Sequence, residues 1–234
     1  QFFDARFRAW VQWERCVFDD EADFRSIAVE EGLVFTGCRF LGDAKFRGAS
    51  VQKKFDLSES RFERMLDLSK AKLNDYVYME TITQGERMRF GFENAVAERL
   101  LVRPDQLEGR IASELEGHYL NASHEYGLLK RNFSGLHRYE GEDWAFYKFK
   151  VCQRMSMPRS WKKPWKMITR FFDWLLLDLG CGYGTNPWRA VRAALVIMLF
   201  FGVVFMIGAE NINVEKAPLA GQPVESWGNR VLIG

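Results

Sequence analysis

Apolar residues recur along the first third of the chain with a step that alternates between six and five residues. From Phe7 onward, fourteen successive positions are apolar: Phe7, Trp13, Phe18, Phe24, Val29, Phe35, Phe40, Phe46, Val51, Leu57, Phe62, Leu68, Leu73 and Met79. A second series lies two residues before each of these positions: Ala5, Val11, Cys16, Ala22, Ile27, Leu33, Cys38, Ala44, Ala49, Phe55, Ser60, Leu66, Ala71 and Val77. Many members of the second series are small, and polar residues lie between the pairs. The two series therefore describe a repeat of eleven residues.

A spacing of five and six residues fits neither an α-helix nor a simple alternating strand. It predicts a coil with short flat sides, each turning one large and one small apolar residue inward. Four sides make a turn of about 22 residues, and stacked turns about 4.8 Å apart exchange backbone hydrogen bonds. The next step falls on Gln84, so the array is expected to end near Ile82 after about three and a half turns. The predicted solenoid core includes Phe7, Phe18, Phe24, Phe40, Phe46 and Phe62.

After the array, over 83–158, the apolar spacing changes to that of an α-helix, which predicts a helical connector. Pro104 would end its first helix. The expected helices carry Met88, Phe92, Val96 and Leu100; then Leu107, Ile111 and Leu115; then Tyr126, Leu129, Phe133 and Leu136; and then Trp144, Phe146, Tyr147, Val151 and Met155. Short loops favour antiparallel packing of these helices.

An apolar run over 189–209 has the length of a membrane span, because about 20 helical residues cross about 30 Å of hydrocarbon. Lys148 to Arg170 contain eight Lys and Arg residues and no acidic residue. The positive-inside rule therefore predicts that the solenoid is cytoplasmic and that 210–234 form an extracytoplasmic loop. The stretch 159–188 combines basic and aromatic residues, as expected at the inner membrane surface. The predicted membrane-interface residues are Trp161, Trp165, Trp174, Trp188 and Arg189.

Charge and cysteine content narrow the possible partners. The chain carries 33 Lys and Arg against 31 Asp and Glu, and residues 1–80 hold 15 acidic and 13 basic side chains. This balance disfavours a nucleic-acid partner and an acidic mimic of DNA. The four cysteines form no CxxC pair and have no histidine at metal-ligand spacing, so we expect free thiols, no metal and no cofactor.

The segment LDLGCGYGT at 177–185 has two sharper interpretations. One is the glycine-rich loop of S-adenosylmethionine-dependent methyltransferases, with Glu210 as the ribose acid, but Glu210 lies farther on than the usual spacing of about 20 residues. The other is a potassium-filter GYG, which needs a membrane helix and a pore helix before it. A turn that precedes Pro187 at the start of the membrane helix is the simpler interpretation. We therefore expect no catalytic site.

Three features together resemble one protein family. The units DARFR at 4–8, EADFR at 21–25 and DAKFR at 43–47 resemble the pentapeptide repeat A-x-F-x-x. The stretches 126–133 and 138–150, followed by Gly182, Tyr183, Gly184, Pro187 and Arg189, are similar to the connector and GYGxxPxR motif of prokaryotic pentapeptide-repeat proteins with a C-terminal two-helix ion-channel module. The resemblance covers nearly the whole chain and implies a right-handed quadrilateral β-helix.

The resemblance also implies a function and a location. The chain would be a subunit of an oligomeric cation channel in a prokaryotic cell membrane, with a tetramer expected and potassium as one candidate ion. A pore helix, filter and second membrane helix would then follow Gly234. The alternative is a single-span scaffold whose solenoid binds a cytosolic protein or ligand. The partners expected in either case are membrane lipid and, for the channel, further copies of the chain.

Overall fold

The computed structural model describes residues 2–157, 174, 182–185 and 187–208. Sixteen short strands occur within these residues. In chain order they are β1 (Arg6–Phe7), β2 (Val11–Glu14), β3 (Val17–Phe18), β4 (Ala22–Asp23), β5 (Ala28–Val29), β6 (Leu33–Thr36), β7 (Arg39–Phe40), β8 (Ala44–Lys45), β9 (Ser50–Val51), β10 (Phe55–Asp56), β11 (Arg61–Phe62), β12 (Met65–Asp67), β13 (Lys72–Tyr78), β14 (Thr83–Gln84), β15 (Arg89–Gly91) and β16 (Val96–Leu101). All of their pairings are parallel.

The strands stack into a β-solenoid of about four turns with four sides per turn. One side contains β3, β7, β11 and β14, and another contains β4, β8, β12 and β15. The other two sides merge into one sheet, because β13 and β16 each continue across both. Through the first three turns each residue pairs with the residue 22 positions later, as in Arg6 with Ala28 and Phe55 with Val77. The predicted parallel solenoid is therefore confirmed.

One corner of each turn needs a backbone of positive φ. Asp4, Ser26, Gly48, Lys70 and Asn94 occupy this corner in successive turns, with φ between 53° and 72°. Most side chains disfavour this conformation, whereas glycine and asparagine tolerate it well. Just before two of these corners, an aspartate side chain accepts a hydrogen bond from the backbone N–H two residues later. The donor is Arg25 N for Asp23 Oδ1, at 3.1 Å, and Ser69 N for Asp67 Oδ1, at 2.9 Å. These local bonds explain the polar residues between the two apolar series.

The constant register stacks identical side chains above one another inside the solenoid. Phe18, Phe40 and Phe62 form one column, with ring centroids 4.7 and 4.6 Å apart and rings nearly parallel. Phe24 and Phe46 form a second column at 4.9 Å. These distances match the spacing between parallel strands, so backbone pairing sets the ring spacing.

The solenoid continues past the predicted end at Ile82. β14, β15 and β16 form a fourth turn, so the helix expected over Met88, Phe92, Val96 and Leu100 is wrong. The pairing distance changes from 22 residues at Arg61–Thr83 to 24 at Met65–Arg89, because two residues are inserted at the intervening corner. The insertion breaks the five-and-six step in the sequence, and the four-residue spacing of these apolar residues is coincidental. Val96, which a helix would have buried, is 55% exposed.

Helices follow the last strand. They are α1 (Pro104–Leu107), α2 (Ala112–Leu115), α3 (Tyr119–Gly135) and α4 (Tyr139–Ser156). The predicted second helix is thus two single-turn helices, whereas the third and fourth are present. Gly141 packs on Phe133, and Gly127 packs on Phe149. The earlier of these two α3 residues thus contacts the later α4 residue, and the later α3 residue contacts the earlier α4 residue. The two helices are therefore antiparallel, as predicted. A Cβ on Gly141 would lie 2.8 Å from the Phe133 ring, so glycine permits the close approach.

The apolar helix α5 spans Pro187–Gly208. The first compact unit of the chain ends at Arg189, so it includes the first residues of α5. Within the described residues α5 is the one helix long and apolar enough to cross a membrane. Its stretch Trp188–Met206 has a mean hydropathy of 2.1. The predicted apolar helix over 189–209 therefore agrees with the structure as far as Gly208.

Candidate functional site

The predicted core phenylalanines fall into two groups. Phe24, Phe40, Phe46 and Phe62 are at most 1% exposed inside the solenoid. Phe7 and Phe18 are half-buried, because the first turn has a neighbouring turn on one side only. The same end of the solenoid exposes Phe3, Trp10 and Val17 by 53–60%.

The opposite end of the solenoid is closed by polar side chains from the helices. Asn132 on α3 accepts a hydrogen bond from Leu100 N at 2.6 Å and donates one to Leu100 O at 2.7 Å. Gln106 on α1 donates to the carbonyls of Met79 and Glu80 at 3.2 and 3.1 Å. An exposed sheet edge would leave such groups unpaired. The helices therefore act as a cap that extends the backbone ladder with side chains.

Glu125 on α3 belongs to the same cap and is 1% exposed. Its carboxylate accepts a hydrogen bond from Phe92 N at 3.2 Å and another from the Ser113 hydroxyl. Burial raises its pKa to about 7, and the neighbouring Glu93 and Asp67 add to this, whereas the two hydrogen bonds oppose it. Glu125 is thus a titratable group between the solenoid and the helices.

A second polar network joins the helices to one another. Lys148 Nζ on α4 lies 2.7 Å from Glu108 and 3.4 Å from Glu114. The Tyr126 hydroxyl donates to Glu114 at 2.5 Å, and the Trp144 indole N–H donates to Glu108. Because every member has a partner, the network holds α4 in place rather than offering free chemical groups.

The predicted membrane-interface residues are only partly described. Trp161 and Trp165 lie outside the described residues. Trp174 is 44% exposed, and Trp188 at the start of α5 is 71% exposed. Arg189 is half-buried, and its guanidinium lies 5.1 Å from the centre of the Tyr147 ring on α4 and 3.5 Å from the Tyr147 hydroxyl. Arg189 therefore has a structural contact that the sequence did not predict.

A cleft of about 290 Å³ opens beside this contact. It is lined by Glu140, Asp143, Trp144, Tyr147, Thr185 and Arg189. The first four lie on one face of α4, since their spacing of three, four and seven residues brings them together on a helix. The spacing was present in the sequence, but only the packing of Thr185 and Arg189 against α4 makes it a cleft.

The GYG segment forms a single 3-10 turn at Gly182–Gly184, with Tyr183 at φ 55° and ψ 24°. The continuous helix α5 then occupies the positions where a methyltransferase would need a helix followed by a strand. Among the described residues, no group of three His, Cys, Asp or Glu side chains could hold a metal ion. Cys16, Cys38 and Cys152 are free thiols, and burial raises the pKa of Cys152 to about 12.

Comparison of the chain with protein-family models, curated proteins and solved structures finds no match. The β-solenoid of about four turns is consistent with a pentapeptide-repeat fold. Together with the apolar helix it fits a membrane-associated repeat protein.

Proposed function

We propose that this protein is a membrane-anchored subunit of an oligomeric cation channel, with its solenoid as a cytoplasmic module. The observation that carries the membrane part is α5, whose stretch Trp188–Met206 exposes apolar side chains along its whole length. Nineteen helical residues extend about 28 Å, close to the thickness of the hydrocarbon core. An exposed apolar surface of this length is stable in lipid and not in water.

The distribution of charge supports the proposed orientation. The basic stretch from Lys148 to Arg170 precedes the helix, and Arg189 and Arg192 lie in its first two turns. Basic residues beside a span favour the cytoplasmic side, so the solenoid would lie in the cytoplasm. A cysteine introduced as Glu98→Cys on the solenoid, in a variant that also carries Cys16→Ser and Cys181→Ser, would test this in membrane vesicles. A membrane-impermeant maleimide should label it in inside-out vesicles only, and labelling in right-side-out vesicles would contradict the orientation.

The channel part of the proposal is supported by the resemblance to two-helix channel proteins and by small residues in α5. One helix cannot enclose a pore, so conduction requires a ring of subunits. Gly202 lies in the apolar stretch, and a Cβ there would meet no atom within 4 Å. Gly202→Leu should therefore leave the single subunit intact and weaken close helix association in the membrane.

Native mass spectrometry of the detergent-solubilised full-length protein would test the assembly. We expect a tetramer that Gly202→Leu weakens and that the matched Val203→Leu preserves. A cation flux into liposomes containing the full-length protein should accompany the tetramer. A monomer at every concentration would contradict the channel.

A single-span scaffold is the second candidate function. The observation that favours it is the one candidate span among the described residues, which can anchor a solenoid but cannot enclose a pore by itself. A monomer without cation flux would favour this function over the channel.

A further inference from the structure

The cleft beside α4 combines groups of opposite charge. Arg189 supplies one cation, and Glu140 and Asp143 supply two carboxylates. Both carboxylate side chains are exposed, and neither makes a hydrogen bond or ion pair with the described part of the chain. Two neighbouring carboxylates without a cation of their own favour a positively charged ligand group.

An aromatic ring strengthens this preference. Trp144 and Tyr147 both line this cleft, and the Arg189 guanidinium already lies 5.1 Å from the centre of the Tyr147 ring. The Trp144 ring is therefore the one that would attract an ammonium group by its negative face. Trp144 is held rigidly, because its indole N–H bonds Glu108 and its ring packs edge-on against Tyr126 at 5.5 Å. The aromatic wall is therefore positioned before a ligand arrives.

Arg189 and Thr185 can bind a negatively charged ligand group. Guanidinium and hydroxyl groups donate hydrogen bonds to phosphate oxygens, and the Tyr147 ring holds the Arg189 guanidinium at the cleft. Arg189 lies at Tyr147, and Glu140 is seven residues earlier on α4, about 10 Å along the helix. The cleft thus offers donors for a phosphate near Tyr147, and carboxylates with the Trp144 ring for an ammonium nearer Glu140. At about 290 Å³ it lies near the lower end of ligand pockets, which suits a small polar group rather than a whole lipid.

The position of Arg189 along the chain indicates where such a group would come from. Arg189 is the third residue of α5 and the second of its apolar stretch Trp188–Met206. At 1.5 Å per residue, it lies within one helical turn of the start of the span, which is the depth of the phospholipid headgroups.

From these observations we infer that the cleft binds the phosphate–ammonium headgroup of a zwitterionic phospholipid such as phosphatidylethanolamine. Arg189 and Thr185 contact the phosphate, and Glu140 and Asp143 contact the ammonium beside Trp144. This inference rests on the proposed membrane span.

Titration calorimetry of the full-length protein in detergent would test the site with three probes. These are dihexanoyl-phosphatidylethanolamine, dihexanoyl-phosphatidylglycerol of equal chain length, and free phosphoethanolamine. We expect the ethanolamine lipid to bind at least about tenfold more tightly than the glycerol lipid, since only the former carries the ammonium. Free phosphoethanolamine should bind more weakly than its lipid. Equal binding of the two lipids would overturn the inference. If free phosphoethanolamine bound as tightly as the ethanolamine lipid, the conclusion that the ligand is a lipid headgroup would be overturned.

Two variants separate the two halves of the site. Glu140→Gln with Asp143→Gln should weaken the ethanolamine lipid about tenfold and leave the glycerol lipid unchanged, whereas Arg189→Gln should weaken both. Glu98→Gln, an exposed glutamate on the solenoid, is the matched control and should change neither. An unchanged affinity in the double variant would overturn the inference. Thermal unfolding verifies that the variants are folded. The calorimetric measurement needs neither a tetramer nor an ion flux, so a negative result for lipid binding is distinct from a failure of the channel proposal.

Discussion

The buried Glu125 predicts how the stability of the protein depends on pH. Its pKa is about 7 in the folded protein against 4.5 for an ordinary glutamate, so between these pH values the folded state binds the extra proton. The contribution of Glu125 to the free energy of unfolding is therefore complete below pH 4.5. It falls as the pH rises towards 7 and is lost above pH 7. A difference of about 2.5 pH units corresponds to about 3 kcal/mol in the free energy of unfolding.

Glu125→Gln removes the titration while keeping an oxygen for the Phe92 N–H and an amide for Ser113. The variant should gain about 3 kcal/mol relative to the natural protein as the pH is raised from 4.5 to 7.5. For a domain of this size, that gain corresponds to roughly 6–12 °C in the melting temperature.

Thermal unfolding in detergent at several pH values, followed by circular dichroism, would measure this difference. All other titrating groups are common to both proteins and cancel in the comparison. Glu98→Gln, which changes an exposed glutamate, should run parallel to the natural protein. A constant gap between Glu125→Gln and the natural protein across this pH range would refute the reasoning that the carboxylate is desolvated.

Three further predictions concern packing, the cap and the thiols. Phe40→Ala interrupts the phenylalanine column and should lower the free energy of unfolding by about 3–5 kcal/mol, measured by denaturant unfolding. Asn132→Ala leaves the buried N–H and C=O of Leu100 unpaired and should cost roughly 1–3 kcal/mol for each, with faster hydrogen exchange at the Leu100 amide. In a Cys181→Ser variant at pH 8, a thiol reagent should modify the half-buried Cys16 rapidly and Cys152 only on unfolding, because burial suppresses its thiolate.

The first two of these predictions have a control variant in the same part of the fold. Val17→Ala on the outer surface of the same side should change stability little, and a loss equal to that of Phe40→Ala would contradict the column. Asn121→Ala on α3 removes a half-exposed bond to Glu93 and should cost less than Asn132→Ala. Rapid modification of Cys152 in the folded protein would contradict the burial of this side chain on α4.

The eleven-residue period was enough to predict the solenoid, because inward positions recur wherever a chain turns through equal sides. Leu33, Phe40 and Leu66 all lie inside, where the two apolar series place them. The period could not predict the end of the array. Two extra residues before Arg89 shift the phase without interrupting the backbone ladder, and a fixed step along the sequence does not detect such a shift. Apolar residues four apart in the fourth turn then imitate a helix.

The sequence also determined the apolar helix, since length and hydropathy are local properties of one segment. The cap and the cleft depended on the tertiary structure. Asn132 and Leu100 are 32 residues apart, and Arg189 and Tyr147 are 42 apart, so no local pattern relates them. Their polar groups find partners only after the helices fold onto the last turn, and long-range pairing of this kind is decided by packing rather than by periodicity.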